Sequence, residues 1–351
     1  MRTNIQERVL HFKQPAGTSR GVYTERRSWF LQVFDGERQG LGECAPLPQL
    51  SCDDLPNYTM VLRHFCNQVE KTGQIDFEAM RPYPSMLFGM ETALQSLASG
   101  GSRLFDTPFC RSEMGIPING LVWMGTFTEM QQRIEQKLEQ GFHCIKLKIG
   151  AIDFDDELEL IKQIRRRFSH REVELRVDAN GAFSFDHGDA LYKLELLSQY
   201  ALHSIEQPIP PAYSPRAHGG GWASMAELCR DAPLPIALDE ELIGVNSPDA
   251  KRQLLNIIKP AYIVLKPSLH GGMMGCREWI ELARDMGIGW WITSALESNV
   301  GLNAIAQFCS TQFPERGGTI MPQGLGTGQL FTDNIDMPLE IRGDKLWYIE
   351  P

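Results

Sequence analysis

Between Cys144 and His270, five short apolar segments each carry a charged side chain at or near their end. Cys144–Ile149 carries Lys146 and Lys148, and Val173–Asp178 ends in Asp178. Leu202–Glu206 ends in Glu206, Pro235–Asp239 in Asp239, and Tyr262–Lys266 in Lys266. Positions 148, 178, 206, 239 and 266 are 30, 28, 33 and 27 residues apart. About 30 residues is the length of one strand with its crossover helix. The stretches between them carry helical patterns, such as Leu158, Ile161 and Ile164, or the helix-start signal Ser247-Pro-Asp. Strands alternating with helices predict a parallel sheet. Because strand side chains alternate between faces, Ile145, Leu147 and Ile149 point away from Lys146 and Lys148.

This pattern predicts a (β/α)7β TIM-like barrel. Its outward faces pack on helices, and polar groups at strand C-termini converge on one mouth, where such barrels hold their active sites. Three carboxylates that close together need a counterion. Asp178, Glu206 and Asp239 supply only hard oxygen donors, which suit Mg²⁺. No His pair has the H-x-x-x-H spacing that would suggest zinc. One strand-end Asp is ordinarily a solvated loop residue or a helix cap; three in consecutive units, bracketed by lysines, point to a metal site. Asn180 could add a polar contact. Lys148 and Lys266 lie on strands either side of the carboxylates, so they can face each other across the cavity. A partly desolvated lysine near a metal suits a general base. Lys146 is set deeper and reads more readily as an ion-pair partner.

The remaining chain divides around this unit. Ile116–Met124 fits a first barrel strand, 126–140 a helix stopped by Gly141, 289–294 a seventh strand, 299–311 a helix and 319–322 an eighth strand. Residues 28–34 and 40–45 read as a hairpin about Asp35-Gly36. Gly17–Arg27 before it reads as a polar loop, and helices follow at about 53–72 and 86–99. The βα rhythm is lost again after 330. The expected division is an α+β capping domain from 1–110 plus 330–351, and a catalytic domain from 111–329.

A net charge of −10 argues against nucleic acid and anionic membrane as partners. It leaves room for a small anionic substrate, since lysines and a metal can reverse the sign inside a cleft. Eight cysteines without a C-x-x-C pair, and no apolar leader or membrane-length run, suggest reduced thiols and a cytoplasmic location. Oligomeric state is not readable.

The set Lys146-x-Lys148, Asp178-Ala-Asn180, Glu206-Gln-Pro208, Asp239-Glu240 and Lys266-Pro267 resembles the enolase superfamily, muconate-lactonizing-enzyme branch. Gly42-Glu43 and Pro46-Leu-Pro48 resemble its capping domain, after a mobile loop near residue 20. Within the branch, Ser294-Ala-Leu-Glu297-Ser-Asn299 and Gly324-Leu-Gly-Thr327 are similar to the o-succinylbenzoate synthase family. That resemblance implies a Mg-dependent lyase of menaquinone biosynthesis. It would dehydrate 2-succinyl-6-hydroxy-2,4-cyclohexadiene-1-carboxylate to o-succinylbenzoate through an ene-diolate, a charge that needs a metal to hold it. It further implies Lys148 as base, Lys266 as a facing positive charge, and Arg20, Tyr23, Lys146, Ser294 and Gly326 as substrate contacts. An N-succinylamino acid racemase or a muconate-type cycloisomerase would use the same set, and a Schiff-base aldolase is a more distant alternative. No acid stands at 324–328, which argues against dipeptide epimerisation.

Overall fold

A computed structural model describes residues 1–18, 21–211, 221–314 and 320–349. The N-terminal part is an antiparallel sheet of β1 (Arg2–Thr18), β2 (Gly21–Asp35) and β3 (Arg38–Cys44), in that order. The hairpin at Asp35-Gly36 is present, but Gly21–Arg27 is strand, not loop. It pairs with β1 on both sides of a bulge between His11 and Ala16. Helices Tyr58–Thr72 and Pro84–Ser99 cover one face of this sheet. Between them lies a separate core that includes Leu31, Val33, Leu62, Val69, Met90 and Ala93.

Two short strands follow, β4 (Ile116–Pro117) and β5 (Gly120–Val122), where the sequence suggests one. Next come β6 (Cys144–Lys148), β7 (Glu174–Asp178), β8 (Ser204–Glu206), β9 (Ile236–Leu238), β10 (Tyr262–Leu265) and β11 (Gly289–Ile292). Strands β5 to β11 form one seven-stranded sheet in sequence order, and all its pairs are parallel. The intervening helices start where the sequence says they should. Phe127–Glu139 opens on a capping box of Thr126 and Glu129, and Pro248–Ile258 on Ser247 with Pro at its first position. Phe154–Arg167 carries Asp155, Asp156 and Glu157 in its first turn and three arginines in its last, both matched to the helix dipole.

The predicted alternation holds along the strands. Ile145, Leu147, Leu175, Val177, Ile205, Leu238, Ile263 and Leu265 pack against the helices in the main core. The opposite face carries the charged residues at its upper end, with Ala237, Val264 and Trp291 clustered lower down.

The expected eighth strand at 319–322 lies partly outside the described residues, and pairing occurs just after it, at 323–324. Gln323 bridges Ile118 and Gly324 bridges Thr293, both in parallel sense, so one short segment touches both edges of the sheet. Hydrogen bonds also divide the C-terminal tail. Lys13 N–H donates to Leu330 O (2.8 Å), and Thr332 N–H to His11 O (2.9 Å), beside the tilted ring pair of Phe12 and Phe331. Further on, β12 (Leu339–Arg342) pairs with β13 (Lys345–Tyr348), and β13 pairs with β4, not with the N-terminal sheet. All eight cysteines are free. Among the described residues no helix is long and apolar enough to cross a membrane.

Candidate active site

Strand register puts the charged residues together. Lys148 is opposite Asp178, and Asp178 opposite Glu206. Glu206 pairs with Ala237, which sets Asp239 two residues further up on the same face. Lys146 Nζ lies 2.9 Å from Asp178 Oδ2 and 2.6 Å from Glu206 Oε2. Lys148 Nζ is 3.3 Å from Asp178 Oδ2 and donates to Asn180 Oδ1 at 2.6 Å. Lys266 is paired with Asp239. The Asn180 amide also donates to Glu240 Oε1 at 3.0 Å, which fixes its orientation: lysine can only donate and the carboxylate only accept. Gln207 braces the base of the group by accepting from the backbone N–H of Asp239 and Glu241, both at 3.2 Å.

Four buried carboxylates (Asp178, Glu206, Asp239 and Glu240) face three ammonium groups (Lys146, Lys148 and Lys266). With all seven ionised, one negative charge would be in excess. Burial alone would raise Asp178, but the Lys146 and Lys148 ammoniums outweigh it and hold its carboxyl far below the usual range. Glu206 goes the other way, pushed up to about 8 by burial and by the Asp178 charge. Burial raises Asp239 too. Lys146 and Lys266 are held above the usual ammonium range; burial opposes this, but the surrounding carboxylates prevail.

The donor set fits a hard divalent cation. Glu206 Oε1, Asp239 Oδ1 and Glu240 Oε2 are buried without a hydrogen-bond partner, and the excess charge has the right sign. The carboxylates are turned toward lysines, however. Among the described residues no three acid, His or Cys side chains stand ready-made around one point.

These groups open into a pocket of about 780 Å³, counting its mouth. Leu47, Leu50, Trp123, Leu269, Trp291 and Leu296 give it apolar walls. Ser294 and Gly326 line it, with the Ser294 hydroxyl 2.6 Å from that of Thr327. Arg20 lies outside the described residues. Tyr23 packs behind the pocket, in the apolar cluster between the N-terminal part and the sheet, and its hydroxyl donates to Pro48 O at 2.7 Å. Sequence reasoning missed Trp123 and Trp291. Trp123 follows a strand end, where the charged residues also stand, and its ring lies 5.8 Å from Lys148 Nζ. A search restricted to charge passes over it.

Comparison with known proteins identifies relatives over the whole length of the chain. Residues 129–340 match the family "Enolase C-terminal domain-like", and residues 18–97 match "MenC, N-terminal domain". An o-succinylbenzoate synthase from Desulfotalea psychrophila is 44% identical, covering 99% of this chain and 98% of that protein. The crystal structure of MenC from Desulfotalea psychrophila LSv54 superposes with a TM-score of 0.81 at 40% identity, covering 99% of each chain. The o-succinylbenzoate synthase of Thermosynechococcus elongatus BP-1, solved with Mg in its active site, is 24% identical with a TM-score of 0.69, over 89% of this chain and 90% of that one. The chain belongs to the enolase superfamily and, within it, to the o-succinylbenzoate synthase family.

Proposed function

We propose that this chain converts 2-succinyl-6-hydroxy-2,4-cyclohexadiene-1-carboxylate to o-succinylbenzoate by eliminating water, as the name of its 44% identical relative implies. The observation that carries this reading is the placement of Lys148 and Lys266. They stand at the C-terminal ends of β6 and β10 of one sheet, with the three carboxylates at the ends of the strands between. We infer that Gln323–Gly324 acts as an eighth stave that closes this sheet into a (β/α)7β barrel, because it hydrogen-bonds to both edges. Four strands apart in an eight-membered ring is diametrically opposite, so a substrate between the lysines meets one on each face. The pairing of the tail supports a division into a cap of 1–110 with about 330–334, and a barrel of 111–329 with β12–β13.

Asp178, Glu206 and Asp239 would hold Mg²⁺, exchanging lysine contacts for metal contacts, with Glu240 beside them. Bound there, the cation supplies Lewis-acid stabilisation for charge developing on the substrate carboxylate. The protein's own groups do the rest. Lys148, oriented by Asn180, takes the proton next to that carboxylate. Lys266 presents a fixed positive charge to the anion that forms, in a site where water is scarce and the charge counts for more. The proton on Lys148 then goes to the departing hydroxyl, so water leaves and the ring becomes aromatic. The apolar walls suit a six-membered ring, and Ser294, Gly326 and Thr327 face it from the rim. A Schiff base on Lys146 or Lys266 is a poor fit, since it needs a neutral lysine and both are held protonated by the surrounding carboxylates. The test is to follow o-succinylbenzoate formation from the cyclohexadiene substrate with Mg²⁺ and after chelation. Mg-dependent product supports the reading, and its absence with saturating Mg²⁺ refutes it.

A further inference from the structure

Arg26, on β2, is 1% exposed, and its guanidinium reaches two separate loops. Nη1 donates to Pro46 O at 2.6 Å, and Nη2 to Ala45 O at 2.6 Å and Ala295 O at 3.2 Å. The first two carbonyls lead directly into Leu47 and Leu50, and the third sits between Ser294 and Leu296. All four of those residues line the pocket. We propose that Arg26 is a positioning residue that staples the two lips of the pocket, one from the N-terminal part and one from the seventh barrel strand, and so sets its width.

Energetics favour this over a purely structural role. Among the described residues no carboxylate lies within ion-pair distance of Arg26, and its Nε has no partner. A buried guanidinium whose hydrogen bonds all go to carbonyls is costly even with the Glu297 and Glu43 charges nearby, and an apolar side chain would fill the same space at lower cost. What an apolar residue lacks is a rigid fork that binds carbonyls of two loops at once. Neighbouring groups reinforce the same junction. Glu43 accepts from the backbone N–H of Ser298 (3.0 Å) and Gly301 (2.9 Å), and Glu297 accepts from Ala295 N–H (2.7 Å) and from Ser268. Tyr23 holds the first lip through Pro48 O.

The inference rests on the proposed reaction only in its kinetic arm, so it is tested first without substrate. In Arg26→Lys the charge stays but the fork is lost. Amide hydrogen exchange at Leu47, Leu50, Ser51, Ser294 and Ala295 should speed up by at least about tenfold, while that of helices 58–72 and 84–99 is unchanged. KM for the cyclohexadiene substrate should rise at least about tenfold with kcat within about threefold, the signature of lost ground-state binding. Arg26→Met, which keeps the volume, should show the same pattern if the lysine variant does not fold. Retained protection at either lip, equal loss throughout the N-terminal part, or a fall in kcat at unchanged KM would each overturn the proposal. A parent protein that makes no o-succinylbenzoate would overturn the reaction instead, and the exchange data would still decide the role of Arg26.

Discussion

Asp178 and Glu206 are neighbours on adjacent strands, both buried, yet their acidities diverge. Asp178 is ionised against two ammoniums, whereas Glu206 sits beside Asp178 and holds its proton up to about 8. Like charges at close quarters cannot all ionise without compensation. A divalent cation removes the excess, which is why the site should bind one. Asp239→Asn should weaken Mg²⁺ binding, measured calorimetrically, by at least about 100-fold, since even outer partners of a bound metal contribute 10–100-fold. Unchanged affinity would move the third ligand to Glu240. Asp53 tests the same physics away from the site. Its carboxylate accepts from Ser85 N–H (2.8 Å), but burial pushes it up to about 6. The folded protein thus keeps a proton that the unfolded chain has released, so this group's stabilisation is lost as pH rises from about 4 through 6. Relative to Asp53→Asn, the parent should lose on the order of 3 kcal/mol of unfolding free energy between pH 4 and 7. Denaturant titrations at both pH values measure it, and a pH-independent difference would refute it. Charged strand ends were legible because a lysine or aspartate in an apolar run is conspicuous. Trp123 and Trp291 were not, because an aromatic residue in a strand looks like core.

Strand β3 and helix Pro84–Ser99 show how one element constrains another. A Cβ at Gly42 would stand 2.0 Å from Gly89 O, so strand and helix are in backbone contact there. Gly42→Ala should destabilise by about 3 kcal/mol, the upper range for overpacking. An unchanged denaturation midpoint would show that the helix can shift. The same strand carries Glu43, which accepts from Ser298 N–H, so a shift of the helix would reach the segment that follows β11. Helix starts were readable because caps and first-turn residues are local signals. Gly21–Arg27 read as a loop because a two-stranded ribbon with both faces partly exposed shows no apolar alternation, only Glu25, Arg26 and Arg27. The displaced pairing at Gln323–Gly324 has a similar cause: two isolated bridging residues leave no periodic trace.

Across the molecule, the 30-residue rhythm announced the parallel sheet and brought the site residues to one mouth. The tail was harder. Loss of rhythm after 330 told that it leaves the repeating unit, but strand pairing with β4 depends on contacts over 200 residues away in sequence, which no local pattern encodes. The central claim concerns two lysines that share a pocket but not a role. The decisive measurement is kcat/KM for o-succinylbenzoate formation, with Mg²⁺ saturating, in Lys148→Arg and Lys266→Arg. Guanidinium is effectively never deprotonated. Lys148→Arg should therefore lose at least about 100-fold as its general base disappears, while Lys266→Arg keeps measurable activity because its charge remains. An active Lys148→Arg beside a dead Lys266→Arg would contradict the account by placing the base on the opposite face.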